Sequence, residues 1–161
     1  MKTLTLSIAF ILVAFYANSQ SQFATNNQTV TLSLADKIDI TNVTGNNPTL
    51  TFASTSDYAS GVALTNASSF QVRSNKPWNL TVKANAANFS GPVGNTMPSS
   101  ALQVKKNGAG SFVGLSTVDQ TLVSGGTRGV NTVSVDYNAN PGFNYDGGSY
   151  TLVVVYTATQ Q

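Results

Sequence analysis

Apolar residues along this chain recur at every second position. Val30, Leu32 and Leu34 alternate with Thr29, Thr31 and Ser33, Ile38 and Ile40 flank Asp39, and Leu50 and Phe52 alternate with Thr49 and Thr51. The same spacing holds for Phe70 and Val72, for Trp78, Leu80 and Val82 against Asn79, Thr81 and Lys83, for Leu102 and Val104, and for Val133, Val135 and Tyr137. No segment after the N-terminus sustains an i, i+3, i+4 apolar stripe, so each alternating run predicts a β-strand with one dry face. Asn107-Gly108 predicts a tight type I′ turn, whose two central residues need positive φ. Ser149 to Ala158 is the longest strand candidate. There Tyr150, Leu152, Val154 and Tyr156 face one way and Val153 and Val155 the other, which predicts cover on both faces and a central place in a sheet. Roughly seven to ten short strands in a chain of this length predict an all-β, antiparallel two-sheet sandwich of immunoglobulin-like type, with a closed barrel as the alternative.

The first nineteen residues follow a different pattern. Lys2 precedes an apolar stretch from Leu4 to Ala17, and Ala17-Asn18-Ser19 places small residues at the −3 and −1 positions of a cut before Gln20. This predicts a signal peptide over 1–19 and a single β-sandwich domain over 20–161. The stretch is shorter than the roughly 20 apolar residues a membrane span needs, so no transmembrane segment is expected after cleavage. The expected location is outside the cytoplasm, secreted or at the cell surface, with the periplasm as an alternative. The chain has no cysteine, which excludes both a lipid anchor on cysteine and disulfide staples, and leaves packing to hold the fold.

Composition narrows the chemistry further. There is no histidine and no glutamate, and the only acids are Asp36, Asp39, Asp57, Asp119, Asp136 and Asp146. General acid–base catalysis at neutral pH relies mostly on histidine or a tuned carboxylate, and an activated serine needs an adjacent base, so no enzyme activity is expected and no catalytic residue is assigned. Serine, threonine and asparagine make up 55 of the 161 residues while charged residues are only 9%, so solubility rests on hydroxyls and amides. Lys105-Lys106 is the only basic pair, which argues against a nucleic-acid partner.

Several features still need a reading. Trp78, in phase with Leu80 and Val82, is expected to anchor the core. Asp136, Asn138, Asn140, Asn144 and Asp146 offer oxygens at alternate positions, as a Ca²⁺ loop does, but Pro141 and Gly147 occupy positions where such a loop wants glycine and a bidentate glutamate. A strand running into an Asn/Pro/Gly turn accounts for the same residues, so no metal or cofactor is expected. Lys76, Lys83, Lys105 and Lys106 fit no Ser-Lys motif. Asn27, Asn42, Asn66, Asn79 and Asn88 open N-x-S/T sequons, which this Asn- and Thr-rich composition produces by chance.

Trp78-Asn79-Leu80, with Gly148-Ser149-Tyr150-Thr151-Leu152-Val153-Val154-Val155-Tyr156-Thr157 near the C-terminus, resembles the paired motifs of the WxL family of bacterial surface domains. Tyr156 stands where that family's second motif has tryptophan. The terminal strand is also similar to that of spore-coat-U-like and fimbrial-type subunits. These resemblances imply a secreted bacterial β-sandwich at the cell surface. Two functions follow as expectations. One is a structural or adhesive subunit, fimbrial or matrix-like, in which chains associate with one another or with other surface proteins through strand edges. Here the Thr29–Leu34 strand is either donated to another copy or paired within its own sheet. The other is a monomeric module for a glycan or cell-wall polymer, using loop aromatics such as Tyr58, Phe89, Phe143 and Tyr145.

Overall fold

The computed structural model describes residues 23–94 and 96–161; the predicted signal peptide lies outside them. Leu34–Gln161 form one compact unit, and the described residues before it, 23–33, belong to a separate one. The compact unit therefore begins at Leu34, inside the range 20–161 read as one domain.

Among the described residues eight strands and one short α-helix follow in chain order: β1 (Ile38–Thr44), α1 (Thr55–Ser60), β2 (Val62–Ser74), β3 (Trp78–Ala84), β4 (Leu102–Lys106), β5 (Val113–Gly114), β6 (Gln120–Gly126), β7 (Gly129–Ala139) and β8 (Val154–Gln160). They build two antiparallel sheets, β1-β2-β7-β4-β5 and β6-β3-β8. The predicted all-β sandwich is what the chain forms. Alternation decides which face is dry: along β3, Trp78, Leu80, Val82 and Ala84 are buried and the residues between them are not. These side chains meet Val72, Val133, Val135, Tyr137 and Val104 from the opposite sheet.

Trp78 is the largest fully buried side chain, and its indole Nε1 donates to the Thr127 carbonyl at 2.8 Å. Gly126 lies flat against the indole: a Cβ there would come within 2.3 Å of the ring, so this position of β6 must be glycine for the tryptophan to fit.

Asp136 closes an irregularity in the larger sheet. Between Leu64 and Ser68 the β2–β7 register slips, and Asn66 takes a left-handed φ of 51°, which asparagine tolerates better than most residues. The freed Asn66 N–H donates to Asp136 Oδ1 at 2.9 Å, and Asn107 Nδ2 donates to the same oxygen at 2.9 Å. Lys105 Nζ lies 3.8 Å from the other oxygen. Burial alone would raise the carboxyl's pKa; these donors and the lysine outweigh it and hold the pKa below the usual carboxylate range. The exposed pairs Arg73–Asp39 and Lys83–Asp119 add little by comparison.

Four expectations need correction. β8 is an edge strand, not a central one, with β3 in the middle of its sheet; on the second apolar face Val153 is 63% exposed and Val155 only half-buried. Thr29–Leu34 does not pair within its own sheet: residues 23–37 lie outside any ladder. Leu50 and Phe52 are half-buried, yet their segment is also outside the ladders. Asn107-Gly108 turns the chain with an Ala109 N–H to Lys106 carbonyl bond of 2.9 Å, but only Gly108 has positive φ. Asn107 lacks the positive φ that the first I′ position needs, its N–H donating to the Ser134 carbonyl and its side chain to Asp136.

Two outcomes are expected. Trp78→Ala should cost about 3–5 kcal/mol in denaturant unfolding, the range for large aromatic deletions. Asp136→Asn keeps Oδ1 as an acceptor but loses the charge, and should cost about 1.5–3 kcal/mol at neutral pH. Because the folded carboxyl has the lower pKa, its contribution is full above about pH 4, the unfolded value, and is lost as pH falls through the folded one. Unfolding midpoints measured between pH 6 and 2 should drop in the native protein, and this component of the drop should be missing in D136N.

Candidate functional site

The two sheets are tied at one end and part at the other. At the tied end Gln160, the last residue of β8, sends its Nε2 to the Lys37 carbonyl at 2.8 Å and to Asn75 Oδ1 at 3.0 Å. Toward the other end, beyond Asn42 on β1 and before Tyr156 on β8, a cleft of about 1140 Å³ opens between the layers.

Its floor is the inner face of the larger sheet, with Ser68, Phe70, Leu102 and Tyr137, met from β8 by Val154 and Tyr156. The hydroxyls of Tyr137 and Tyr156 bond across the layers at 2.5 Å, and the Tyr156 ring tilts against Phe70 at 4.3 Å. Burial pushes both phenol pKa values up, so each stays a neutral donor and acceptor.

Two segments outside the named strands form the walls. The first begins at Gly45, whose φ of 70° turns the chain out of β1; Ser68 Oγ donates to its carbonyl at 2.7 Å, and a Cβ there would lie 1.9 Å from the Ala67 carbonyl oxygen. The chain then runs through Pro48, Thr49, Leu50, Thr51 and Phe52 with no ladder partner, until Ser54 caps α1 in a capping box with Asp57. The second wall, Gly147–Val153, precedes β8. Thr151 exchanges both backbone bonds with Ser90, at 2.8 and 2.9 Å, and the Val153 carbonyl accepts from Asn85 at 2.9 Å. In an antiparallel pairing the intervening residues point their N–H and C=O to the opposite side, so Tyr150 and Leu152 present theirs away from Ser90.

Aromatic rings gather at the mouth. Phe52 meets Tyr58 at 5.3 Å, Tyr58 stacks on Phe143 at 5.4 Å, and Tyr145 meets Tyr150 edge-on at 6.5 Å. Of the loop aromatics singled out in the sequence, Tyr58, Phe89 and Tyr145 line the cleft, Phe89 packing against the core, while Phe143 stands outside it at 66% exposure. Sequence reasoning missed Tyr150 and the Tyr137–Tyr156 pair as parts of one site. Both sit in strand patterns, and nothing local marks a contact between the sheets.

The chemistry of the cleft is neutral. Among the described residues that line it, Asp146 alone is charged. The proposed oxygen-ligand series is split: Asp136 closes the β2 irregularity, Asn138 donates to Gln103, and Asp146 borders the cleft. Among the described residues no group of three or more potential metal-ligating side chains comes together. Lys76, Lys83 and Lys105 each pair with an aspartate.

No protein-family profile and no curated protein matches the chain. Among solved structures it is similar to a family 123 glycoside hydrolase from Clostridium perfringens, at 14% identity and a TM-score of 0.40, over 77% of this chain and 25% of that one. It is also similar to a protein of a chaperone-usher pilus, at 11% identity and a TM-score of 0.44, over 88% of this chain and 97% of that one. Neither likeness carries a function to this chain.

The tyrosine pair gives a third expected outcome. Tyr137→Phe strands the Tyr156 hydroxyl and should cost about 1–3 kcal/mol, whereas the double change to phenylalanine should cost little more than the single one. Additive losses in the cycle would contradict a shared bond. Since both folded pKa values are raised, the pair's contribution is full below about pH 10 and is lost as pH climbs toward the folded values.

Proposed function

We propose that this chain is a non-catalytic, secreted bacterial surface protein, a structural or adhesive subunit of fimbrial or matrix type that associates with further copies by donating its N-terminal strand to a sheet edge. One observation carries the reading: residues 23–37 lie outside any ladder, and Val30, Leu32 and Leu34 are 75%, 82% and 85% exposed. A strand with strict alternation and no partner leaves both its apolar face and its backbone bonds unspent. Burying the three side chains is worth about 1.5–3 kcal/mol each, and a receiving edge adds backbone bonds and a register. The root of the arm is fixed: Asn75 Nδ2 donates to the Ala35 carbonyl at 2.9 Å, and Lys76 pairs with Asp36. The predicted signal peptide supports export, and the lack of histidine, cysteine and glutamate supports a role without catalysis.

The alternative, a monomeric glycan- or wall-binding module, draws on Tyr58, Tyr145 and Tyr150 at the cleft mouth. Light scattering and negative-stain microscopy of the chain from Gln20 separate the two. Oligomers or fibres are expected, together with a folded monomer that melts below the assembled full chain once Gln20–Leu34 is deleted. A full chain that stays monomeric at every concentration would overturn the subunit reading, as would a truncated one that still assembles.

A further inference from the structure

We propose that the cleft is a vacant strand position, and that Thr29–Leu34 of a second copy of this chain fills it. The inference rests on the reading of the N-terminal arm as a donated strand and adds where that strand goes. Two segments patterned as strands, Thr49–Phe52 and Tyr150–Leu152, lie on the two sides of one cleft, and neither has a ladder partner there. On the second, Thr151 spends its bonds on Ser90, which directs those of Tyr150 and Leu152 away from that partner. The alternation that predicted strands at both places is thus correct about the dry face; what is missing is a neighbour to bond.

The occupant follows from chemistry and size. Residues 23–34 carry no charge, and among the described residues lining the cleft Asp146 alone is charged, so both surfaces are nearly neutral. The cleft, about 1140 Å³, is lined by residues of both chain segments, Thr49–Phe52 and Tyr150–Leu152. Six extended residues span about 20 Å and place Val30, Leu32 and Leu34 about 7 Å apart on one face. Phe70, Leu102, Leu152 and Val154 offer that face an apolar bed.

The absence of native cysteine allows a direct test. One full-length variant carries Leu32→Cys. Others carry Thr51→Cys or Leu152→Cys on the cleft walls, or Val113→Cys on the β5 edge, and each is first shown to melt as the parent does. Mixed pairs are mildly oxidised and read by intact mass. Disulfide-linked heterodimers are expected from Leu32→Cys with Thr51→Cys or Leu152→Cys, suppressed by a synthetic peptide of residues 27–36, and not with Val113→Cys. Linkage to Val113→Cys with none to the walls would overturn the cleft as receiver while leaving strand donation standing. No linkage together with no association by light scattering would overturn both. A chain bearing Leu32→Cys and Thr51→Cys that closes on itself at high dilution would overturn the second copy as occupant.

Discussion

Every N–H and C=O along a strand edge needs a partner, and in this sandwich that requirement is met unevenly. β3 is bonded on both sides, to β6 and β8, and carries Trp78, Leu80 and Val82 into the centre of the core. At one end Gln160 bonds across the sheets, and at the other the wall segments Thr49–Phe52 and Tyr150–Leu152 have no ladder partner across the cleft. The cleft, the free walls and the unpaired arm are consequences of that one shortfall. An open edge in a sheet protein is a hazard unless it is covered or used. Here the chain itself contains a segment of the right form to use it.

The polar interior is arranged so that the open end does not collapse the rest. Asp136 satisfies the backbone group freed at Asn66 and draws β4 toward it through Lys105 and Asn107. The Tyr137–Tyr156 bond joins the two layers at the cleft floor. Both devices take a group that would be costly if buried alone and give it a partner from another strand, which fixes register as well as energy. The rigid floor they create is what an inserted strand would pack on.

Much of the fold was legible in the sequence because period-two alternation reports a dry face directly. Trp78 in phase with Leu80 and Val82 is the plainest case. What alternation does not report is who bonds the edge. Leu50 and Phe52 have their dry face yet no ladder, and Thr29–Leu34 has neither. The aliphatic run at Val153–Val155 reads as a strand covered on both faces, but β8 lies at an edge, because one exposed valine in a run does not change its pattern. The cleft was not legible as a site: its walls are about a hundred residues apart in the chain, and only tertiary pairing brings them face to face. Tyr58, Phe89 and Tyr145 were visible as loop aromatics, but nothing local showed that they share one mouth with Tyr150.

The central claim is that one unpaired strand and one unfilled position belong together. Backbone hydrogen exchange, followed residue by residue in dilute and in concentrated protein, tests it most directly. Fast exchange is expected in dilute protein at Thr29–Leu34, at Thr49–Phe52, and at Tyr150 and Leu152, with all three slowing together as the protein associates. Protection of the arm already present in the dilute monomer would contradict it, as would association that slows exchange along β5 or β6 and leaves the cleft walls unchanged.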